Sequence, residues 1–415
     1  MRNVDTVVIG GGQAGLAMSR CLTERRVEHV VLERGRLAER WRSERWDSLM
    51  LLTPKWQSRL PGYRYTGPDP DGYATSAELV SLLEGYAGSF GPPLLTDTTV
   101  QAVTASGESL EVQTTRGAFR ARAVVIATGH ADVPRVPEFA SRLPGHIVQV
   151  HPTRYKRPEQ LPPGGVLVVG ASATGVQLAD ELHRSGRPVT LSVGHHTRLP
   201  RVYRGRDILW WLDAMGVLRE SKDQVRSLHA AREQPSMQLV GRPDRSTLDL
   251  GVLSDAGVAL AGGTLGADAD GVSFGSDLNA QLRRADDKLW RLLGRIDAFG
   301  RRAGLIAGQD ETLRPEPIRA PSVAPRLHWK HSGIRTVLWA TGYRRQYPWL
   351  RVGVLDAQGE IVHDGGVTPH PGLYVLGLPF LRRRNSSFLD GVGADATELA
   401  AAIAKYLGGP TSQAA

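Results

Sequence analysis

Residues 5–15 read Asp-Thr-Val-Val-Ile-Gly-Gly-Gly-Gln-Ala-Gly, and this stretch decides the fold. Its apolar residues predict a short buried strand, and Gly10, Gly12 and Gly15 match the G-x-G-x-x-G pattern of a dinucleotide-binding unit. The first glycine allows a tight turn, the second lets the backbone approach a pyrophosphate, and the third lets helix pack closely on strand. The helix predicted from Ala14 would offer free N–H groups to the phosphates.

An acidic residue ends the next predicted strand, which spans residues 29–32. Glu33 lies 23 residues after Gly10. A carboxylate in this place accepts hydrogen bonds from ribose hydroxyls and disfavours a 2′-phosphate. The first unit is therefore predicted to bind FAD or NAD rather than NADP. The FAD-site residues assigned in this unit are Gly10, Gly12, Gln13, Ala14, Gly15, Glu33, Arg34 and Trp41.

The pattern returns at residues 165–175, Gly-Val-Leu-Val-Val-Gly-Ala-Ser-Ala-Thr-Gly, with Ser172 at the middle glycine. The equivalent of Glu33 is Val193, which would not repel a 2′-phosphate, and arginines follow it. Arginine makes bidentate contacts with phosphates, so this unit is predicted to bind NADPH rather than NADH. The alternative is that these arginines are solvated loop residues. The NADPH-site residues assigned are Gly170, Ser172, Thr174, Gly175, His195, Arg198 and Arg201.

Two similar segments, residues 123–130 and 336–343, each read as a buried strand that ends in Ala-Thr-Gly. A glycine at such a strand end permits a backbone turn beside a cofactor, and the alternative is an ordinary strand end. Their repetition beside two nucleotide units favours the cofactor role. The assigned residues are Thr128 and Gly129 for FAD, and Thr341 and Gly342 for NADPH.

The C-terminal region contains glycines at 391 and 393, followed by a predicted helix over residues 397–407. A helix N-terminus entered through glycines would place N–H groups against the flavin pyrimidine, where negative charge develops on reduction. Gly391 and Asp395 are therefore assigned to the FAD site. An ordinary terminal helix is the competing interpretation.

The composition limits the functional classes. A chain of 415 residues accommodates two domains with their own cores. Cys21 is the only cysteine, which excludes a CxxC redox pair and a cysteine-based metal cluster, and no metal site is predicted. The net charge of +9 is scattered, so no nucleic-acid partner is expected. No apolar stretch is long enough to span a membrane, so a cytoplasmic location is the default expectation. A homodimer is compatible with the sequence.

The two fingerprints, the two Ala-Thr-Gly segments and the strand at 372–377 resemble those of the class B flavin-containing monooxygenases. More narrowly, the chain is similar to a bacterial branch labelled flavoproteins of potassium transport and to the plant YUCCA monooxygenases. The resemblance covers about residues 4 to 405 and is weakest between residues 221 and 320. Residues 51–55 and 60–61 resemble the YUCCA stretch that follows the FAD unit.

His151 and Tyr155 match the end of the FxGxxxHxxx(W/Y) signature of this family. Gly145 stands where the signature has Phe, and Ile147 where it has Gly, which argues against Baeyer–Villiger chemistry. For His151, a local packing role is an alternative to a functional one.

The resemblance implies an α/β fold with two Rossmann-like dinucleotide-binding domains, the NADPH domain inserted in the FAD domain. The proline-rich stretches at 158–163 and 315–325 suggest the crossings. The predicted division is 1–157 for the first part of the FAD domain, 158–325 for the NADPH domain, 326–408 for the second part of the FAD domain, and 409–415 for a flexible tail.

The resemblance also implies a reaction. NADPH would reduce the flavin, O₂ would give a C4a-(hydro)peroxyflavin, and one oxygen atom would pass to a small organic substrate by N-, S- or C-oxygenation. His151, Lys55 and Asn385 are the candidate catalytic residues near the flavin ring. Trp41, Trp46 and Trp56 are candidates for lining an apolar cleft, and the equal alternative is that they belong to the core. Two alternatives remain: a reductase that passes electrons to a quinone-like acceptor, and a non-enzymatic redox or nucleotide sensor.

Overall fold

The computed structural model describes residues 1–306, 313–321 and 323–408, so the predicted tail at 409–415 lies outside the described residues. Its strands are β1 (Arg2–Ile9), β2 (His29–Leu32), β3 (Met50–Pro54), β4 (Arg59–Leu60), β5 (Tyr63–Arg64), β6 (Tyr73–Thr75), β7 (Leu94–Leu95), β8 (Val100–Ser106), β9 (Ser109–Thr114), β10 (Gly117–Ile126), β11 (Val133–Pro134), β12 (Val148–Val150), β13 (Gly165–Val169), β14 (Val189–Ser192), β15 (Thr197–Arg198), β16 (Val202–Tyr203), β17 (Arg206–Asp207), β18 (Met237–Gln238), β19 (Ala259–Ala261), β20 (Thr264–Ala267), β21 (Gly271–Phe274), β22 (Arg326–His328), β23 (Ile334–Trp339), β24 (Tyr343–Arg344) and β25 (Leu373–Val375). Its α-helices are α1 (Gln13–Glu24), α2 (Glu39–Ser43), α3 (Ser76–Gly88), α4 (Ala173–Arg184), α5 (Ile208–Ala214), α6 (Leu228–Arg232), α7 (Leu250–Ala256), α8 (Leu278–Arg302), α9 (Trp329–Ser332) and α10 (Leu389–Gly408).

The first sheet contains the first fingerprint. Its order is β7-β2-β1-β10-β9-β8, and β25 pairs in parallel with the end of β10. Strands β1, β2 and β10 run parallel, and their Val- and Ile-rich ends are buried because helices cover both faces of such a sheet. Helix α1 packs on this sheet with α10, which comes from the other end of the chain.

The second sheet contains the second fingerprint. Its order is β12-β23-β13-β14-β19, and every pairing is parallel. All five strands lie in the chain between β10 and β25 of the first sheet. The second Rossmann-like unit is therefore inserted in the first, and the predicted α/β fold class is confirmed.

The positions of β12 and β23 move the predicted domain crossings. Both strands belong to the second sheet, although β12 precedes the predicted boundary at 157/158 and β23 follows the one at 325/326. Prolines mark exposed connections, but strand pairing decides to which sheet a segment belongs. We therefore propose that the crossings lie before β12 and after β23.

Contacts between the two units begin directly after the two Ala-Thr-Gly turns. Strand β11 follows the first turn and β24 follows the second, and these strands pair antiparallel with each other. Gly342 O accepts a hydrogen bond from Arg135 N at 2.9 Å. Trp46, from the first unit, is buried in the core of the second. The second nucleotide unit is thus tied to the first at the loops that face the nucleotides.

Between β14 and β23 the chain adds a further layer. Besides β19, which belongs to the second sheet, this part of the chain contains strands β15–β18 and β20–β22 and helices α5–α9, and α5 packs with the 25-residue α8 over a separate apolar core. Trp210 and Trp211 are adjacent in α5; Trp211 is buried, and Trp210 is only partly covered. Among the described residues, no helix is long and apolar enough to cross a membrane.

Candidate nucleotide and flavin site

The first fingerprint forms a turn in which glycine is required. Gly10 has a φ of +116°, and a Cβ at this position would lie 2.5 Å from Ala127 O, at the first Ala-Thr-Gly segment. A Cβ on Gly15 would lie 1.8 Å from Gly10 O, so α1 can approach β1 only without a side chain here. At Gly12, the N-cap of α1, a Cβ meets nothing within 4 Å, which leaves room for a phosphate.

The second fingerprint reproduces these contacts. Gly170 has a φ of +106°, and its Cβ would lie 2.5 Å from Ala340 O in the second Ala-Thr-Gly segment. A Cβ on Gly175 would lie 1.8 Å from Gly170 O. Ser172 is the N-cap of α4, and Thr174 lies in the first turn of that helix. The two glycine turns therefore have the same geometry, and the Ala-Thr-Gly strand end of each unit packs against its own turn. We call these turns, residues 10–15 and 170–175, the glycine cradles.

Glu33 is positioned by the backbone at the end of β2. Its Oε2 accepts a hydrogen bond from Gly11 N at 2.7 Å, and its Oε1 accepts one from Gly35 N at 3.0 Å. These bonds hold the carboxylate at the edge of the glycine turn, where it can accept hydrogen bonds from the hydroxyl groups of a ribose. Val193, at the equivalent position of the second unit, is fully buried and leaves that edge without a carboxylate.

A cavity of about 320 Å³ opens beside the first fingerprint. It extends from Glu33 and Arg34, past the turn of β1 and α1, to the loop that follows β10. Most of the FAD residues assigned from the sequence line it, namely Gly10, Gly12, Gln13, Ala14, Glu33, Arg34, Trp41, Thr128 and Gly129. Residues that the sequence did not indicate also line it, including Arg45, Thr98, His130, Gln346, Trp349 and Ser387.

His130 has the clearest sequence signal among these additional residues, because it directly follows the first Ala-Thr-Gly. Its side chain lines the cavity and is exposed there. Burial lowers its pKa to about 4, and the charges of Arg345 and Arg45 lower it further, so the imidazole is neutral near pH 7. Trp349 and Gln346 have no such signal, since a long loop brings them to the cavity.

Arg198 and Arg201, which the sequence assigned to a 2′-phosphate, are committed elsewhere. The Arg198 guanidinium donates to Asp249 at 2.8 Å and to Asp286 at 2.7 Å. The Arg201 guanidinium donates to Asp207 at 2.5 Å and to Leu52 O at 2.8 Å. Both arginines are buried, so the phosphate assignment for these two residues is wrong. The guanidinium of Arg198 pairs with carboxylates 51 and 88 residues away, and that of Arg201 pairs with a carboxylate six residues away.

His195, in contrast, is exposed just after the end of β14, where the ribose of the second nucleotide would lie. Thr341 and Gly342 connect the second unit to the first: Thr341 Oγ1 donates a hydrogen bond to Arg135 O, and Gly342 adopts a φ of +83°. Their position beside Gly170 keeps the NADPH assignment as a prediction.

The three candidate catalytic residues do not line the cavity. The Lys55 ammonium pairs with Asp69 at 3.2 Å and Glu78 at 3.6 Å, which commits it to a salt bridge away from the flavin. The His151 ring packs edge-on against Tyr343 at 5.0 Å between ring centroids. Burial lowers the pKa of His151 to about 4.

Asn385 is buried two residues before the cavity-lining Ser387, and its Nδ2 donates to Asp390 Oδ2 at 3.4 Å. The Ser387 carbonyl accepts a hydrogen bond from Gln13 Nε2 at 2.8 Å, which links the C-terminal loop to the first fingerprint. Asn385 therefore belongs to the support of this wall and does not itself face the cavity.

Helix α10 begins at Leu389, eight residues before the predicted start. Gly391 and Asp395 lie inside it and not in front of its N-terminus. A Cβ on Gly391 would lie 2.0 Å from Asn385 O, so this glycine serves close packing. Asp395 is fully buried and accepts from Arg383 at 2.6 Å. Neither residue lines the cavity, and the Gly391 N–H donates to Phe388 O at 3.2 Å, so their assignment to the FAD site stays a prediction that this geometry does not support.

The three tryptophans that were predicted to line a cleft lie in three different places in the structure. Trp41 lines the cavity, and the Arg45 guanidinium carbon lies 4.8 Å from its ring centroid. Trp46 belongs to the second core, and Trp56 lies under the Arg59 guanidinium at 5.3 Å.

Comparison with known proteins identifies the family. Residues 7–209 match the model of the pyridine nucleotide-disulphide oxidoreductase family. An oxidoreductase described as CzcO-like, from Geobacillus kaustophilus, is 33% identical over 399 residues, which cover 95% of this chain and 97% of the relative. The chain belongs to the CzcO-like oxidoreductases. This membership confirms the class B flavin monooxygenase-like family predicted from the motifs.

Two flavin monooxygenases are similar to this chain, one in part of its sequence and the other in its fold. Indole-3-pyruvate monooxygenase YUCCA1 from Oryza sativa subsp. japonica is 34% identical over 200 residues, which cover 47% of this chain and 49% of that enzyme. A flavin-containing monooxygenase from Stenotrophomonas maltophilia superposes with a TM-score of 0.68 at 22% identity and covers 98% of this chain and 99% of its own. The predictions of a flavin-dependent enzyme of the monooxygenase kind and of FAD and NADPH as cofactors are confirmed.

Proposed function

We propose that this CzcO-like oxidoreductase transfers one oxygen atom from O₂ to a small organic substrate, using NADPH as the source of electrons. Bound FAD would supply the hydride acceptor and the group that reacts with O₂. The duplicated glycine turn supports the use of two nucleotides. At both Gly15 and Gly175 a Cβ would lie 1.8 Å from a backbone oxygen, so both turns require glycine in order to keep the shape that binds a pyrophosphate. Glu33 fits the FAD ribose, and the edge without an acid at Val193 fits NADPH.

Cys21 argues against one class of final electron acceptor, the disulfides. This cysteine is the only one in the sequence, it is 1% exposed, and burial raises the pKa of its thiol. It packs beneath α10 and does not line the flavin cavity. A disulfide reductase passes electrons through a reactive cysteine, whereas oxygen transfer needs none. The protein residues then only have to bind, orient and exclude water.

The side chains around the cavity suit that supporting role. His130 is neutral near pH 7 because its pKa is lowered to about 4, so it can hydrogen-bond without adding charge. Gln13 holds the C-terminal wall through Ser387 O. The paired strands β11 and β24 connect the two Ala-Thr-Gly turns, which supports transfer of a hydride between the two units.

Reduction with NADPH under anaerobic conditions, followed by mixing with ¹⁸O₂ and a panel of amines, thioethers and ketones, tests the proposal. We expect bleaching of the flavin by NADPH and one ¹⁸O atom in the product. Stoichiometric reduction of an added quinone, with no labelled product from any panel member, would instead establish the quinone reductase.

A further inference from the structure

Arg45 brings a positive charge to the flavin cavity. It lies just after α2, in the short connection that precedes the buried Trp46. Its guanidinium stacks on the cavity-lining Trp41, with 4.8 Å from the guanidinium carbon to the ring centroid. On its other side lies Tyr343, the residue that follows the Ala-Thr-Gly turn of the second unit. The side chain thus lies where the two nucleotide units meet.

This cation lacks a compensating anion in the described part of the chain. Its Nη1 donates to the Glu44 carbonyl at 3.1 Å, and its other protein partner, the Tyr343 side chain, is a phenol whose pKa is raised by burial and which carries no charge. The nearby Glu44 carboxylate accepts from Arg40 at 2.7 Å and lies 3.9 Å from Arg34. Asp132 is likewise within 3.6 Å of Arg40. The available carboxylates are thus shared by other arginines.

Burying such a charge is unfavourable unless it is paired, and burial indeed lowers the pKa of Arg45, an effect that Tyr343 opposes. Even so, the fold holds Arg45 firmly in place. The Lys156 ammonium donates to the carbonyls of Ser43 at 2.6 Å and Arg45 at 2.7 Å, and Asp47 N donates to Lys156 O at 2.9 Å. Arg45 is half-buried, and a cation held beside a cavity without a carboxylate of its own indicates an anionic ligand in that cavity.

We propose that Arg45 supplies the positive charge that stabilises reduced, anionic FAD, with Lys156 as its positioning residue. Bound FAD would accept a hydride, that is two electrons and one proton, from NADPH, leaving NADP⁺ and a reduced ring with one negative charge. The FAD pyrophosphate would also be an anion, but the N-terminus of α1 would face it. The contact of Arg45 with Tyr343 places the guanidinium on the side of the second nucleotide unit, from which the hydride arrives.

The test measures the two-electron midpoint potential of the purified holoprotein under anaerobic conditions, together with the dissociation constant of oxidised FAD. For Arg45→Gln we expect the affinity for reduced FAD to fall about tenfold more than that for oxidised FAD. This selectivity corresponds to a potential about 30 mV more negative. Arg45→Lys keeps the charge and is expected to retain most of the wild-type potential. The inference rests on the proposed function only in requiring bound FAD, so a failure of oxygen transfer does not affect it.

The matched control is Arg34→Gln, which removes one positive charge from the same cavity at the Glu33 end. It should weaken FAD binding without a change in potential. If Arg45→Gln lowers the affinities for oxidised and reduced FAD equally, Arg45 binds the pyrophosphate, and if it changes neither affinity, Arg45 does not contact FAD. Either result overturns the proposal. If Arg45→Gln does not fold, the midpoint potential of Lys156→Met is measured instead. We expect it to be more negative than that of the wild type, by less than the shift expected for Arg45→Gln. An unchanged potential in the folded, FAD-bound Lys156→Met protein overturns the proposal.

Discussion

Arg198 donates its Nη1–H to the Asp286 carboxylate at 2.7 Å, and both side chains are more than nine-tenths buried. Asp249 accepts from the same guanidinium at 2.8 Å. The three groups come from β15, the N-cap of α7 and α8, so this ion cluster joins three separate segments of the chain between β14 and β23.

Substitution Arg198→Met is therefore expected to act on stability. It leaves two buried carboxylates without their cation, and the loss of one partner from a buried ion pair costs about 3–5 kcal/mol. Urea unfolding followed by circular dichroism measures this change. Arg184→Met is the control, because Arg184 is exposed in its pair with Asp180 and such pairs contribute at most about 1 kcal/mol. If Arg198→Met had the stability of the wild type and a raised KM for NADPH, Arg198 would instead be a ligand of the nucleotide phosphate.

The cradle glycines make a second prediction. A Cβ added at Gly175 or Gly15 would overlap the carbonyl oxygen of the preceding turn at 1.8 Å, and such overpacking costs about 1–3 kcal/mol. Gly175→Ala should retain FAD but lose about tenfold or more in NADPH-driven flavin reduction, measured by stopped-flow absorbance. Gly15→Ala should instead weaken FAD binding by a similar factor.

Gly85→Ala is the control for these two substitutions. Gly85 lies within α3, and a Cβ there meets nothing within 4 Å, so alanine should stabilise the helix by about 0.5–1 kcal/mol. If Gly175→Ala reduces FAD binding and leaves the NADPH reaction intact, the assignment of the two units to the two cofactors is wrong.

The sequence indicated the two cradles because their requirements are local. A glycine such as Gly10 is needed for its own φ, and Glu33 is fixed by backbone N–H groups at Gly11 and Gly35. These contacts lie within a single β-α-β unit, where spacing along the chain determines position in space.

The geometry does not support the assignments of residues whose roles depend on distant partners. Arg198 follows a strand end as a phosphate ligand would, but its carboxylates lie 51 and 88 residues away. The glycine at 391 resembled a helix entry, yet it serves the close approach of Asn385 O. No spacing rule predicts such pairings, and the cavity residue Trp349 was missed for the same reason.

Nucleotide preference gives a third prediction. His195 is exposed just beyond β14, and with Arg198 and Arg201 paired it is the assigned residue that remains free to meet a 2′-phosphate. His195→Asp would put a carboxylate at that edge, as Glu33 does in the first unit. We expect kcat/KM for NADPH to fall about tenfold at low ionic strength while kcat/KM for NADH is kept. An equal loss with both nucleotides would show that His195 does not face the 2′-position.

His151 gives a prediction about stability and pH. Burial lowers its pKa from 6.5 to about 4, and its Nδ1 accepts a hydrogen bond from Thr153 N at 3.3 Å. Between these two pH values the unfolded chain binds a proton that the folded chain does not, so stability is complete above pH 6.5 and falls as the pH falls toward 4. His151→Asn keeps an acceptor for Thr153 and removes the titration, so Tm should decline less steeply across this window. Burial also lowers the pKa values of His130 and His363 to about 4, so part of the decline should persist. A Tm profile parallel to that of the wild type would mean that His151 titrates alike in the folded and unfolded chains.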